Sequence, residues 1–220
     1  SDLDSEAEGS LWISCAGGLS GISHIPVQRV EGEGEKVQVK VCGLMGGHSG
    51  AEIDKNRANA NKLMGRFLYG LKKKSEYALI SLTGGQKDNA ITRECTAEFL
   101  TDSVAEVKAY AKELQEQLRE EYTGSDENIT FEITEKGTAT AEVLHPTSQE
   151  KIVFYLQNVP FGIQKMSGTI KGLVETSSNI GILRLDRDEL FASSSVRSSV
   201  DAACSALSDK IEYLTEFLGG

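Results

Sequence analysis

No apolar stretch in this sequence approaches the length needed to cross a bilayer, so a transmembrane helix is not expected. A cationic surplus is missing too: 23 Lys and Arg face 33 Asp and Glu, a formal net charge of −10. So acidic a chain repels phosphate backbones and anionic lipid surfaces, and neither nucleic acid nor a membrane is an expected partner. Its opening, SDLDSEAEG, is acidic where a signal peptide would start basic. Cysteines are few and scattered: Cys15, Cys42, Cys95 and Cys204 form no CxxC pair. That spacing reads as buried reduced thiols, and with it comes the expectation of a cytoplasmic protein.

Familiar catalytic signatures are also missing. The three histidines, His24, His48 and His145, are far apart, with no HExxH and no Cys/His cluster at metal-ligand spacing. GLMGGHSG (43–50) lacks the GK[ST] ending of a phosphate loop, and no GxSxG nucleophile elbow occurs. The chain taken alone contains no complete catalytic constellation.

What remains is a well-patterned globular sequence. With 220 residues, 39% of them hydrophobic, it can bury a core without disulfide or metal staples. Val37, Val39 and Val41 alternate with polar residues, the period of a half-buried strand over 37–44. A glycine-rich turn follows, then Leu63, Met64, Phe67, Leu68 and Leu71 recur at helical spacing, predicting a helix over 54–74. Residues 76–83 and 90–101 read as strands joined by GGQKDN. Ser103 and Glu106 form a capping box for a helix over 103–122, with Val104, Val107, Ala111, Leu114 and Leu118 on one face. The second half repeats this rhythm. A strand is predicted over 128–135, and just after Pro146 a capping box of Thr147 and Glu150 opens a helix that stops near Pro160. Strands near 168–176, 180–187 and 189–197 and a last helix from about 200 complete it. The expected fold is α+β: two related strand–helix–strand–strand–helix halves, with antiparallel sheets covered by helices on one face. KDNAI (87–91) and SSNIG (177–181) each place an asparagine at an expected strand entrance.

Three residues stand out chemically. His48 is flanked by Gly46, Gly47, Ser49 and Gly50, which let the backbone approach another surface and leave the imidazole presented at a strand–helix junction. It can serve as a hydrogen-bond donor to a carbonyl oxygen that gains charge, or simply as a turn histidine. Asn89 can bind a substrate carbonyl or cap its own turn. Arg197, in SSSVRSSV, can hold a carboxylate through two parallel hydrogen bonds or lie solvated on the surface.

These residues also carry a family resemblance. GLMGGHSGAEIDKNRANANKLMGRFLYGL (43–71) resembles the lid-domain signature of bacterial aminoacyl-histidine (Xaa-His) dipeptidases, two-zinc metallopeptidases. LDSEAEG (3–9) with SCAGG (14–18) looks like the passage from their catalytic domain to the lid. GGQKDNAITRE (84–94) and ETSSNIGIL (175–183) are similar to two further family segments. The resemblance implies a lid and dimerisation domain of a cytosolic dipeptidase. On that basis residues 1–30 are a catalytic-domain remnant and hinge, 31–127 the first half of the lid and 128–220 the second. It places Asp4 on a zinc-binding aspartate and His48 on the lid histidine that polarises the scissile carbonyl. Asn89 and Arg197 fall on residues that hold the dipeptide, Arg197 facing its terminal carboxylate. The implied cofactor is zinc, two ions per active site, and the implied partners are a dipeptide, the parent's catalytic domain and a second copy in a homodimer. The HxD motif, the paired glutamates and the last zinc-binding histidine of that family are missing, so the chain alone is expected to be inactive, its ends resembling chosen boundaries. Composition and periodicity leave two other readings open: a free-standing module that binds a small regulatory ligand, and a dimerisation module without a part in catalysis.

Overall fold

The computed structural model describes residues 17–220. The valine alternation at 37–41 becomes part of a strand longer than its apolar run, β2 (Arg29–Cys42). Val37, Val39 and Val41 are buried, while the polar residues between them lie on the other face. The remaining strands are β1 (Gly17–Pro26), β3 (Gly47–His48), β4 (Tyr77–Gly84), β5 (Ala90–Ile91), β6 (Cys95–Thr101), β7 (Thr130–Leu144), β8 (Gly162–Met166), β9 (Val174–Leu185) and β10 (Glu189–Ser198). Eight of them form one antiparallel sheet in the order β1-β10-β9-β4-β6-β2-β7, with β8 added to β9, and β3 pairs separately with β5. Helices α1 (Ala60–Leu71), α2 (Val104–Glu121), α3 (Pro146–Asn158) and α4 (Asp201–Phe217) pack on the sheet, giving the expected α+β class.

The core lies between sheet and helices. Phe67 on α1 is fully buried, with its ring 5.6 Å from that of Tyr110 and 5.3 Å from that of Phe131. It thereby ties α1 to α2 and β7. A smaller cluster, Val196, Cys204, Leu207 and Ile211, fastens α4 over β10. On the opposite face, β2, β6 and β7 present charge. Lys36 and Lys136 pair with Glu98 and hold its carboxyl below the usual range, the Lys136 hydrogen bond being the larger cause.

Several boundaries differ from expectation for identifiable reasons. The helix predicted from 54 starts at Ala60, because Asn56 takes a left-handed conformation (φ 53°). Asn59 then caps α1, its side chain accepting from the amides of Asn61 and Lys62. The Ser103 cap forms as predicted, accepting from the Glu106 amide at 3.3 Å. Thr147 and Glu150, however, do not cap α3. Pro146 occupies the first helical turn, which moves the cap to His145, whose Nδ1 accepts from the Thr147 amide. The strands expected near 168–176 and 180–187 are one strand, β9, preceded by β8 and a turn. Asn179 therefore sits in mid-strand, whereas Asn89 does stand at the entrance of β5. Residues 17–26 form an edge strand paired along its length with β10.

Lys62 is a polar residue with a packing task. Its ammonium donates to the carbonyls of Gln157 and Val159 at 3.3 and 2.8 Å, and also to that of Leu156, closing the C-terminus of α3 against α1. Burial pushes this ammonium down from the usual 10.5 to about 8. The unfolded chain then binds more protons than the folded one between pH 8 and 10.5, so this group's contribution to stability rises with pH across that window. Lys62→Met should cost about 1–3 kcal/mol near neutral pH, because it leaves carbonyls without donors. In urea melts, the stability gap between wild type and this variant should widen from pH 8 to 10.5. A flat gap would show that the ammonium is not desolvated as described.

Candidate functional site

The segment bearing His48 is held by an ion pair from its own sequence neighbourhood. Glu52 accepts from the His48 backbone amide at 2.8 Å and from Arg57 at 2.8 Å, and Arg57 also donates to the carbonyl of Gly46. The amide hydrogen bond is the larger cause, ahead of Arg57, of a Glu52 carboxyl held below its usual range. Gly47 fits only as glycine. Its φ is +140°, and a Cβ there would strike both Arg57 and Glu52.

The imidazole is fixed as well. Nδ1 accepts from the amides of Gly50 and Ala51, both at 3.1 Å. A nitrogen that accepts two N–H groups carries the lone pair, so the neutral ring bears its hydrogen on Nε2. Of the other two histidines, His24 lies 2.9 Å from Glu189 on the sheet edge and His145 caps α3. His48 is therefore the histidine whose ring is oriented by backbone groups in a glycine turn.

Asn89 and Arg197 come close to the same turn from separate parts of the chain. β3 pairs with β5 so that His48 stands opposite Ala90, the residue after Asn89. The Ser49 amide donates to the Asn89 carbonyl at 2.9 Å, and the Asn89 side chain lies in an exposed residue. Arg197 rises from β10 on the far side of the turn. Its guanidinium would lie 3.1 Å from a Cβ placed on Gly50, so the turn rests against it. Arg197 Nε is buried and has no hydrogen-bond partner among the described residues. The structure thus brings His48, Asn89 and Arg197 together, while Asp4 lies outside the described residues. An open groove of about 770 Å³ runs beside the loop, lined by Lys87, Ala90, Arg93 and Glu94 among others, but by none of the three. The candidate site is a convergence of residues beside this groove.

Several supporting residues escaped the sequence reading. Along the middle of β9, between its pairings with β8 and β4, that edge has no partner strand among the described residues, and side chains bond to it instead. Asn59 and Asn61 donate to the Ile180 carbonyl at 2.9 and 3.3 Å, and the Thr92 hydroxyl lies within 3.2 Å of the Ile180 and Gly181 carbonyls. Gly181 is the extra residue where the β9–β10 register shifts, and a Cβ there would collide with the Lys87 and Asp88 carbonyls. The loop ahead of Asn89 consequently lies directly on β9. A buried asparagine in a strand was the available signal, but its partners are distant in sequence and only the fold identifies them.

The chain is similar to known peptidases along most of its length. Residues 39–126 match the family model described as a peptidase dimerisation domain. The chain is 31% identical to the cytosol non-specific dipeptidase of Escherichia coli (strain K12), over 99% of this chain and 46% of that protein. It superposes on the aminoacylhistidine dipeptidase of Vibrio alginolyticus with a TM-score of 0.92 and 30% identity, over 98% of this chain and 45% of that one. It thus spans about half the length of these relatives. The match to the peptidase dimerisation domain family thus lies within a chain that is similar along nearly its whole length to part of two bacterial dipeptidases.

Proposed function

We propose that this chain is the lid and dimerisation segment of a cytoplasmic, zinc-dependent dipeptidase acting on Xaa-His and related dipeptides. The observation that carries the reading is the fixed tautomer of His48. With Nδ1 occupied by two backbone amides, the ring offers Nε2–H as a donor beside Arg197 and the Asn89 loop. A neutral donor held in this way suits a carbonyl oxygen that gains negative charge during hydrolysis. Arg197 supplies a fork for the dipeptide's terminal carboxylate, and Asn89 offers an amide to its peptide group. The three residues bind and orient, and His48 in addition stabilises developing charge.

The zinc ions of this reading are not held by the described residues. Among these, no group of three or more His, Cys, Asp or Glu side chains could hold a metal ion. Asp4, proposed as one zinc ligand, lies outside them, and one aspartate does not make a two-metal site. The ligands would come from the catalytic domain, and a homodimer is the proposed assembly.

The reading is tested with the complete reading frame, supplied with zinc, and with the present chain alone. Hydrolysis of Xaa-His dipeptides is expected from the former and not from the latter. Zinc motifs on both sides of this segment, together with that activity, distinguish an enzyme lid from a free-standing ligand-binding module. Absence of dipeptide hydrolysis by the zinc-loaded full-length protein would overturn the reading.

A further inference from the structure

Asn179 is 1% exposed, in the middle of β9. Its Nδ2 donates to the carbonyls of Asp88 at 3.2 Å and Ala90 at 2.9 Å, the two residues that flank Asn89. Its Oδ1 accepts from Asn59 Nδ2 at 3.1 Å. The network leaves no freedom to flip these amides. Asn59 Oδ1 is already committed to the amides of Asn61 and Lys62 as the α1 cap, so Asn59 presents Nδ2 to β9. That nitrogen requires the oxygen of Asn179 opposite it, and both hydrogens of Asn179 Nδ2 are then directed at the loop. Holding the carbonyls on either side of Asn89 fixes the backbone of that residue. The same loop supplies β5, which pairs with the strand of His48.

We propose that Asn179 is a positioning residue for Asn89, a buried amide that relays the rigid α1 N-terminus to the substrate-binding loop. The proposal rests on the dipeptidase reading where it concerns kinetics, but not where it concerns loop order. Aspartate at this position has the same shape and offers only acceptors to the two loop carbonyls, which turns a clamp into repulsion. Alanine leaves the same carbonyls unpaired.

Two measurements test it. The first is amide hydrogen exchange on this chain, comparing Asn179→Ala and Asn179→Asp with Leu118→Ala, a core truncation on α2 that makes no contact with the loop through this network. The amides of Ser49 and Ala90, which donate to the Asn89 and Lys87 carbonyls, should exchange at least about tenfold faster in both Asn179 variants and stay near wild type in Leu118→Ala. Unchanged loop exchange in the Asn179 variants, or equal acceleration in Leu118→Ala, overturns the proposal. The second is a double-mutant cycle in the full-length enzyme. Asn179→Ala should lower kcat/KM by about tenfold in the wild-type background and by less than about threefold when Asn89 is already alanine. An equal loss in both backgrounds means that Asn179 does not act through Asn89. If Asn89→Ala is itself silent, the substrate role of Asn89 fails, and the exchange result alone decides whether Asn179 positions the loop.

Discussion

Replacing His48 with alanine in the full-length enzyme is expected to lower kcat by roughly 10²- to 10³-fold while KM changes little, the usual scale for losing one preorganised donor. The expectation follows from where the hydrogen sits. Gly50 and Ala51 donate to Nδ1, so the free side of the ring is an N–H, whose bond strengthens as a carbonyl oxygen becomes an oxyanion. An interaction that gains strength only in the transition state appears in kcat. The structural cost should be small. The side chain accepts two hydrogen bonds within its own turn, while the backbone stays anchored through Glu52 and Arg57. Circular dichroism melts of the variant should therefore overlay the wild type within a few degrees. If the fold survives and kcat is unchanged, His48 is only the acceptor that closes its own turn.

How much of this was legible in the sequence depends on the range of the interactions. Local patterns were readable: the valine alternation of β2, the Ser103 cap and the apolar face of α1 each depend on residues within a turn or two. The glycines around His48 marked a special backbone, and Gly47 does have a φ that other residues rarely adopt. Failures clustered where the decisive partner is remote. SSNIG suggested a strand entrance because asparagine ordinarily favours turns, yet Asn179 is held in mid-strand by a loop about ninety residues away. Likewise, Thr147 and Glu150 fitted a capping box, but a proline at the first helical turn shifted the cap to His145. His48, Asn89 and Arg197 were each recognisable as residues. Their convergence needed the β3–β5 pairing and the packing of Gly50 on Arg197, which no spacing in the chain encodes.

Arg197→Ala is expected to act on a different kinetic constant, raising KM by roughly 10- to 100-fold with kcat within about threefold of wild type. The terminal carboxylate of a dipeptide keeps its charge while the peptide bond is cleaved, so a group that binds it contributes equally to ground and transition states. The size corresponds to one lost charge-assisted interaction of about 1.5–3 kcal/mol, since each 1.4 kcal/mol is a factor of ten. Arg197 suits this role because its guanidinium is already supported beneath the Gly50 turn, and its buried Nε has no partner among the described residues. Little side-chain freedom then remains to be lost on binding. Arg197→Lys should recover only part of the affinity, as it keeps the charge but not the planar fork. A dipeptide amide, lacking the terminal carboxylate, separates binding of that group from general damage. Wild type should bind it as weakly as Arg197→Ala binds the free dipeptide, and the substitution should scarcely alter its KM. If Arg197→Ala weakens the amide and the free dipeptide by the same factor, the guanidinium supports the His48 turn instead of holding the carboxylate.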